Sequence, residues 1–207
     1  MQRPRRFRTN SNHIAAIEQS HLRQFYERVM LPVLADLRPQ ERPPFTGRRG
    51  ERLEIARING HNALCYEARR SFALMIGASF ERQLRLWLCQ ADRHRVAAIQ
   101  KADFNRLVEL LKEIQIVDLA GMEVAADLQE LRLVVNVARH GDGPSSRELV
   151  ALNPELWDSM LRDTYAKGGL LGYTMRVQDA DLRRYLDAVQ VFWSRCGGSP
   201  FRPMAAP

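Results

Sequence analysis

Four polar side chains within one short segment carry the clearest chemistry in the chain. They are Arg132, Asn136, Arg139 and His140, in Leu131-Arg132-Leu133-Val134-Val135-Asn136-Val137-Ala138-Arg139-His140-Gly141-Asp142-Gly143. On a helix turning about 100° per residue with Arg132 at zero, Arg139 falls at about −20°, Asn136 at about 40° and His140 at about 80°. Leu131, Leu133, Val134, Val135, Val137 and Ala138 fill the arc from about 100° to about 300°. One face is therefore apolar, and one compact polar face holds two guanidiniums, an amide and an imidazole. An imidazole titrates near neutral pH and serves as general base or acid toward a ribose 2′-hydroxyl or a leaving oxygen. A guanidinium holds a phosphate and stabilises the charge that develops on it. This inventory can handle a phosphodiester without a metal. The same residues also suit a plain helix end. His140 precedes Gly141 and Gly143-Pro144, where the helix is expected to stop, and the helix dipole favours His or Arg in a last turn.

Other chemistries lack their residues. Gly168-Gly169-Leu170-Leu171-Gly172-Tyr173-Thr174 has no lysine to reach a phosphate, so it is no Walker loop. The five histidines stand far apart without metal-ligand spacing, and no metal or cofactor is expected. Ser79 and Cys89 lie inside a helical pattern with no nucleophile elbow. The three cysteines, Cys65, Cys89 and Cys196, form no CxxC pair and no disulfide framework, which suits a reducing, cytoplasmic setting.

The elements that must position the polar face read as all-α. Residues 1–10 hold four arginines beside Pro4 and read as a flexible basic arm. Residues 12–37 repeat apolar groups at helical spacing, with Asn12 as N-cap and Pro32 bending or breaking the end. Pro39, Pro43, Pro44, Gly47 and Gly50 make 38–50 a linker. A long helix is predicted from about His61 to Ala91, then helices over 104–115 and about 118–140. A shorter one opens at Asn153-Pro154 and runs through about Ala166. Gly168, Gly169 and Gly172 then break the chain before a short stretch over 173–177 that reads as extended. The last helix spans about Asp179 to Cys196, with Leu182, Tyr185, Leu186, Val189, Phe192 and Trp193 inward, and 197–207 is a loose tail. The expected architecture is a helical bundle over 51–196 with a long core helix and an N-terminal helical extension. No apolar run is long enough to span a membrane, and no export signal is visible at the N-terminus.

The central segment resembles the signature of the HEPN superfamily, all-α domains that include many bacterial RNase toxins and defence proteins. Their motif places an arginine four to six residues before a histidine near a helix end, often as Arg-Asn-x-x-x-His. Asn136-Val137-Ala138-Arg139-His140-Gly141 matches the Asn-x-x-x-His-Gly part. The helix carrying Ser79-Phe80-Glu81-Arg82-Gln83-Leu84 resembles the preceding core helix of that family, and the likeness covers roughly residues 60–195. The position before Asn136 is Val135 rather than arginine, and the nearest upstream arginine, Arg132, stands eight residues before His140. The resemblance implies metal-independent RNA cleavage that leaves a cyclic phosphate, in a toxin–antitoxin or antiphage setting. It further implies a homodimer in which two such helices face one RNA strand, and a neutralising or defence-system protein partner. His140 is then the acid/base, Asn136 a positioning group, and Arg132 or Arg139 the phosphate clamp. An inactive relative that binds RNA, a nucleotide or a protein is the alternative.

Glu81, Arg82 and Arg85 are weaker candidates for substrate contact, set against a solvated helix face. Trp87, Phe192 and Trp193 have core spacing rather than the exposure a base-stacking role needs. The chain has 207 residues and a formal net charge of +7, and 28 of its 31 basic residues are arginine. Four arginines fall in the arm and four in the linker, where they add only salt-sensitive, non-specific attraction for nucleic acid.

Overall fold

The computed structural model describes residues 5–115 and 117–197, with side chains from Ile14 onward, and within them every regular element is helical. Helix α1 (Arg5–Phe25) passes through a wide π turn (Tyr26–Met30) into α2 (Leu31–Asp36). Pro32 explains the wide turn. It has no N–H, and its ring crowds the carbonyl four residues back. The Leu31 N–H reaches instead to the Tyr26 carbonyl, five residues back. The flexible-arm reading of 1–10 is corrected over 5–10, which belong to α1. From Arg5 onward no Gly or Pro interrupts the chain until Pro32. Residues 1–4 and the tail 198–207 lie outside the described residues.

Residues 37–50 are irregular, yet they are docked. Asn62 exchanges two hydrogen bonds with the Gln40 backbone, at 2.7 and 2.8 Å. The Glu51 carboxylate accepts from the Thr46 N–H at 2.8 Å, the Thr46 hydroxyl at 3.0 Å and the Arg48 N–H at 3.0 Å. These bonds fix the start of α3 (Glu51–Ala91), which therefore begins well before the expected His61. At 41 residues, α3 spans roughly 60 Å.

The remaining elements are α4 (Val96–Lys101), α5 (Phe104–Gln115), α6 (Ala125–His140), α7 (Pro144–Leu152), α8 (Arg162–Gly168), α9 (Leu171–Thr174) and α10 (Asp179–Arg195). Several predicted bounds change. Residues 119–121 form a separate 3₁₀ turn before α6. Asn153 caps only a 3₁₀ turn, Pro154–Leu156, and the chain is irregular before α8. The stretch 173–177 is partly helical rather than extended. Gly143-Pro144, read as a stop, also starts α7, because proline suits a first helical position.

Helices α1, α3, α6 and α10 pack around one core, with α5 against α3 and α7 against α6. The inward residues expected on α10 are all buried there. Phe80 meets Phe192 edge-on at 5.1 Å between ring centroids, and Trp87 meets Trp193 at 5.8 Å, so these aromatics are core. At Gly77, an added Cβ would sit 2.4 Å from Val135 Cγ2. The absence of a side chain there lets α6 lie close along α3. Gln19 and Gln190 exchange side-chain-to-carbonyl bonds of 3.0 and 2.9 Å, tying α1 to α10. No helix among the described residues is long and apolar enough to cross a membrane.

Candidate functional site

Helix α6 divides its residues as the wheel requires. Leu131, Leu133, Val134, Val135 and Val137 are buried, Arg132 and Asn136 are half-buried, and Arg139 and His140 are exposed. Arg132, Asn136 and Arg139 line one cleft of about 270 Å³ between α3, the start of α5 and α6. Phe80, Phe104 and Val135 contribute its apolar wall, and Glu81 and Asp103 add carboxylates. His140 does not line it. Gly141, the residue after it, lines a second cleft of about 270 Å³ with Ser71, Gly172 and Tyr173. His140 thus stands in the chain between a residue of each.

The two arginines differ in what holds them. Arg132 Nη2 lies 3.5 Å from the Glu148 carboxylate of α7, and its Nε donates to Gln129 at 3.2 Å. Asn136 Nδ2 donates to Ser145 Oγ at 3.4 Å. Among the described residues Arg139 and His140 have no hydrogen-bond or ion-pair partner. Arg139 is therefore the guanidinium available to an incoming phosphate, and Arg132 must first share Glu148. Sequence reading missed α7, and with it both of these contacts.

The turn that ends α6 is held from below by residues the sequence reading did not select. Asp142 accepts the Gly172 N–H at 2.6 Å and the Leu171 N–H at 3.1 Å, capping α9. Gly141 turns the chain at φ +71°. A Cβ on Gly172 would stand 2.6 Å from Gly141 Cα, a backbone atom that cannot swing aside. Gly172→Ala is therefore expected to destabilise the fold by about 1–3 kcal/mol. Gly121→Ala, which meets nothing within 4 Å, is the control. Thermal unfolding of the two variants checks this, and equal midpoints would refute the close contact.

The second group of candidates is largely corrected. Arg85 Nη1 donates to the carbonyls of Ile99 at 3.0 Å and Ala102 at 2.6 Å, and its Nη2 pairs with Glu81. It caps the end of α4 and has no donor to spare for substrate on that nitrogen. Arg82 does not line the cleft, and its Nη2 lies 3.5 Å from Ser79 Oγ of its own helix. Burial pushes the Glu18 carboxyl of α1 up, and the His21 and Arg82 charges pull against it. Glu81 does line the cleft, but a carboxylate repels phosphate.

Arg69 and Arg70 of α3 and Arg184 of α10 are likewise engaged by the protein itself. Arg69 pairs with Asp179 at 2.8 Å and bonds the Leu37 and Cys65 carbonyls. Arg70 pairs with Glu67 and donates to the carbonyls of Tyr173 at 2.6 Å and Met175 at 3.0 Å. Arg184 joins Asp127, Glu130 and Asp181. Against protein-family models, curated proteins and solved structures, the chain has no match.

Proposed function

We propose that this protein is a HEPN-like, metal-independent endoribonuclease whose site is the exposed end of α6. The observation that carries the reading is the adjacency of Arg139 and His140. A guanidinium and an imidazole stand on consecutive residues, both exposed and unpartnered among the described residues, and the guanidinium lines a cleft with Arg132 and Asn136. In the reaction, the His140 imidazole takes the proton from a ribose 2′-hydroxyl. That oxygen attacks the adjacent phosphorus, and the bond from phosphorus to the 5′ oxygen breaks. The leaving oxygen collects a proton from the imidazole of a second copy in a homodimer. The products are a 2′,3′-cyclic phosphate and a 5′-hydroxyl. Arg139 holds the non-bridging oxygens as their charge grows, and Asn136, steadied by Ser145, positions the strand. The biological setting proposed is a toxin or antiphage module held in check by a protein partner, in the cytoplasm.

One observation favours a second reading, a non-cleaving helical module that binds RNA, a nucleotide or a protein. Val135 occupies the place of the motif arginine and packs on Gly77, and Arg132 is held by Glu148 and Gln129. Expression of the wild type beside His140→Ala, Arg139→Ala and Arg132→Ala in a bacterial host, with mapping of RNA ends, separates the two. The nuclease reading expects growth arrest with cyclic-phosphate ends in the wild type, loss of both in the first two variants, and a smaller effect of Arg132→Ala. Intact RNA with the wild type would favour the binding module.

A further inference from the structure

A further cleft lies away from the polar face of α6. It holds about 430 Å³, within the range of roughly 300–1,000 Å³ for ligand pockets, between the 37–50 segment, α3 and the α8–α9 region. Three tyrosines line it: Tyr66 of α3, Tyr165 of α8 and Tyr173 of α9. Tyr173 is 75% exposed, and none of the three hydroxyls has a partner among the described residues. Tyr173 is exposed, whereas Tyr66 and Tyr165 are half-buried, Tyr66 beneath the Arg176 guanidinium and Tyr165 partly against the core, and all three border the cleft. They offer π faces and hydrogen-bonding tips to something that enters.

The charge around those rings is fixed by the fold. Arg70 has its donors engaged by Glu67 and by the Tyr173 and Met175 carbonyls, so it anchors the backbone that presents Tyr173. The paired bonds between Gln40 and Asn62 dock the 37–50 segment and bring Arg42 to the rim. Arg42 has no partner among the described residues. The Arg176 guanidinium lies over the Tyr66 ring, 5.5 Å from its centroid, and meets Asp158 at 3.5 Å through one nitrogen. Asp158 is the one carboxylate in the lining, so positive charge prevails.

We propose that this cleft binds a nucleotide, its base on the tyrosine rings and its phosphate on Arg42 and Arg176. Aromatic faces take any base by stacking, and a guanidinium takes phosphate through paired N–H donors. The inference goes beyond the cleavage reading and does not need His140 to be catalytic. The nucleotide can be free, or it can be one residue of an RNA strand. Tyr173 and Arg70 line both this cleft and the one containing Gly141, so a strand seated here continues toward the end of α6.

Titration calorimetry at low salt tests it, with 5′-AMP and 5′-UMP as one arm and a short unstructured oligoribonucleotide as the other. The oligonucleotide arm uses the full His140→Ala chain, so that loss of cleavage is never read as loss of binding. Binding of the oligonucleotide alone places a strand residue in the cleft, and binding of the mononucleotides as well identifies a free-nucleotide site. In either case Tyr173→Ala is expected to weaken binding about tenfold and Tyr173→Phe to preserve it. Arg42→Ala is expected to weaken it comparably and to reduce the salt slope by about one. Both positions are exposed, and circular dichroism verifies that the variants fold. Absence of binding in both arms overturns the proposal. So does binding that is indifferent to Tyr173→Ala and Arg42→Ala.

Discussion

Glu130→Ala is expected to lower the stability of the fold by about 3 kcal/mol. The Glu130 side chain is 8% exposed and sits at the junction of α6, α7 and α10. Its Oε1 accepts from Arg184 Nη2 at 2.7 Å, the Tyr185 hydroxyl at 2.5 Å and Asn153 Nδ2 at 3.0 Å. Its Oε2 accepts from Arg184 Nη1 at 3.1 Å. Removing the carboxylate leaves the Tyr185 hydroxyl buried without an acceptor, and it strips Arg184 of its most buried partner. Leaving such groups unpaired costs more than the intact pair contributes. Arg184 keeps Asp127 at 2.6 Å and Asp181 at 3.1 Å, which places the loss at the lower end of the range for broken buried pairs. Denaturant unfolding measures it, and a loss below about 1 kcal/mol would show the network to be slack.

The same carboxylate gives the fold a defined response to acid. Burial pushes the Glu130 pKa up, but hydrogen bonds from Arg184, Tyr185 and Asn153 outweigh it and leave the group below its ordinary 4.5. A depressed carboxylate contributes stability above its unfolded pKa and loses that contribution as pH falls through the folded value. The stability gap between the wild type and Glu130→Gln is thus expected to be full at neutral pH. It should narrow as pH drops below the ordinary carboxylate range. A gap that stayed constant to strongly acidic pH would contradict the assignment.

What the sequence disclosed, and what it hid, follows from the range of the interactions involved. The faces of α6 and α10 were legible because a 3.6-residue period records burial directly, as Leu182, Tyr185, Leu186, Val189, Phe192 and Trp193 show. The grouping of Arg132, Asn136 and Arg139 was legible for the same reason. The start of α3 was not, since Glu51 acts through hydrogen bonds to Thr46 and Arg48 that leave no periodic trace. Helix α7 was hidden because Gly-Pro punctuates both the end of one helix and the start of the next. Charge was the least legible property. Arg69, Arg70, Arg85 and Arg184 are engaged with carboxylates and carbonyls brought to them by tertiary packing. The count of 28 arginines therefore overstates the free guanidiniums the molecule offers a phosphate. Glu148 is the clearest case: it comes from α7 and sets Arg132 apart from Arg139.

The second large effect is expected at His140. Loss of a general acid or base costs about 10²–10⁴-fold in rate, so His140→Ala should remove nearly all cleavage. The residue is exposed and unpartnered among the described residues, so the variant should keep the stability of the wild type. Arg139→Ala should be more damaging than Arg132→Ala, because Glu148 already holds Arg132. The most direct measurement is the rate at which the purified chain cleaves single-stranded RNA in EDTA, wild type beside His140→Ala, with the product ends identified. The expected result is 2′,3′-cyclic phosphate ends from the wild type and a rate at least about a hundredfold lower without His140. Equal cleavage by the two proteins would contradict it.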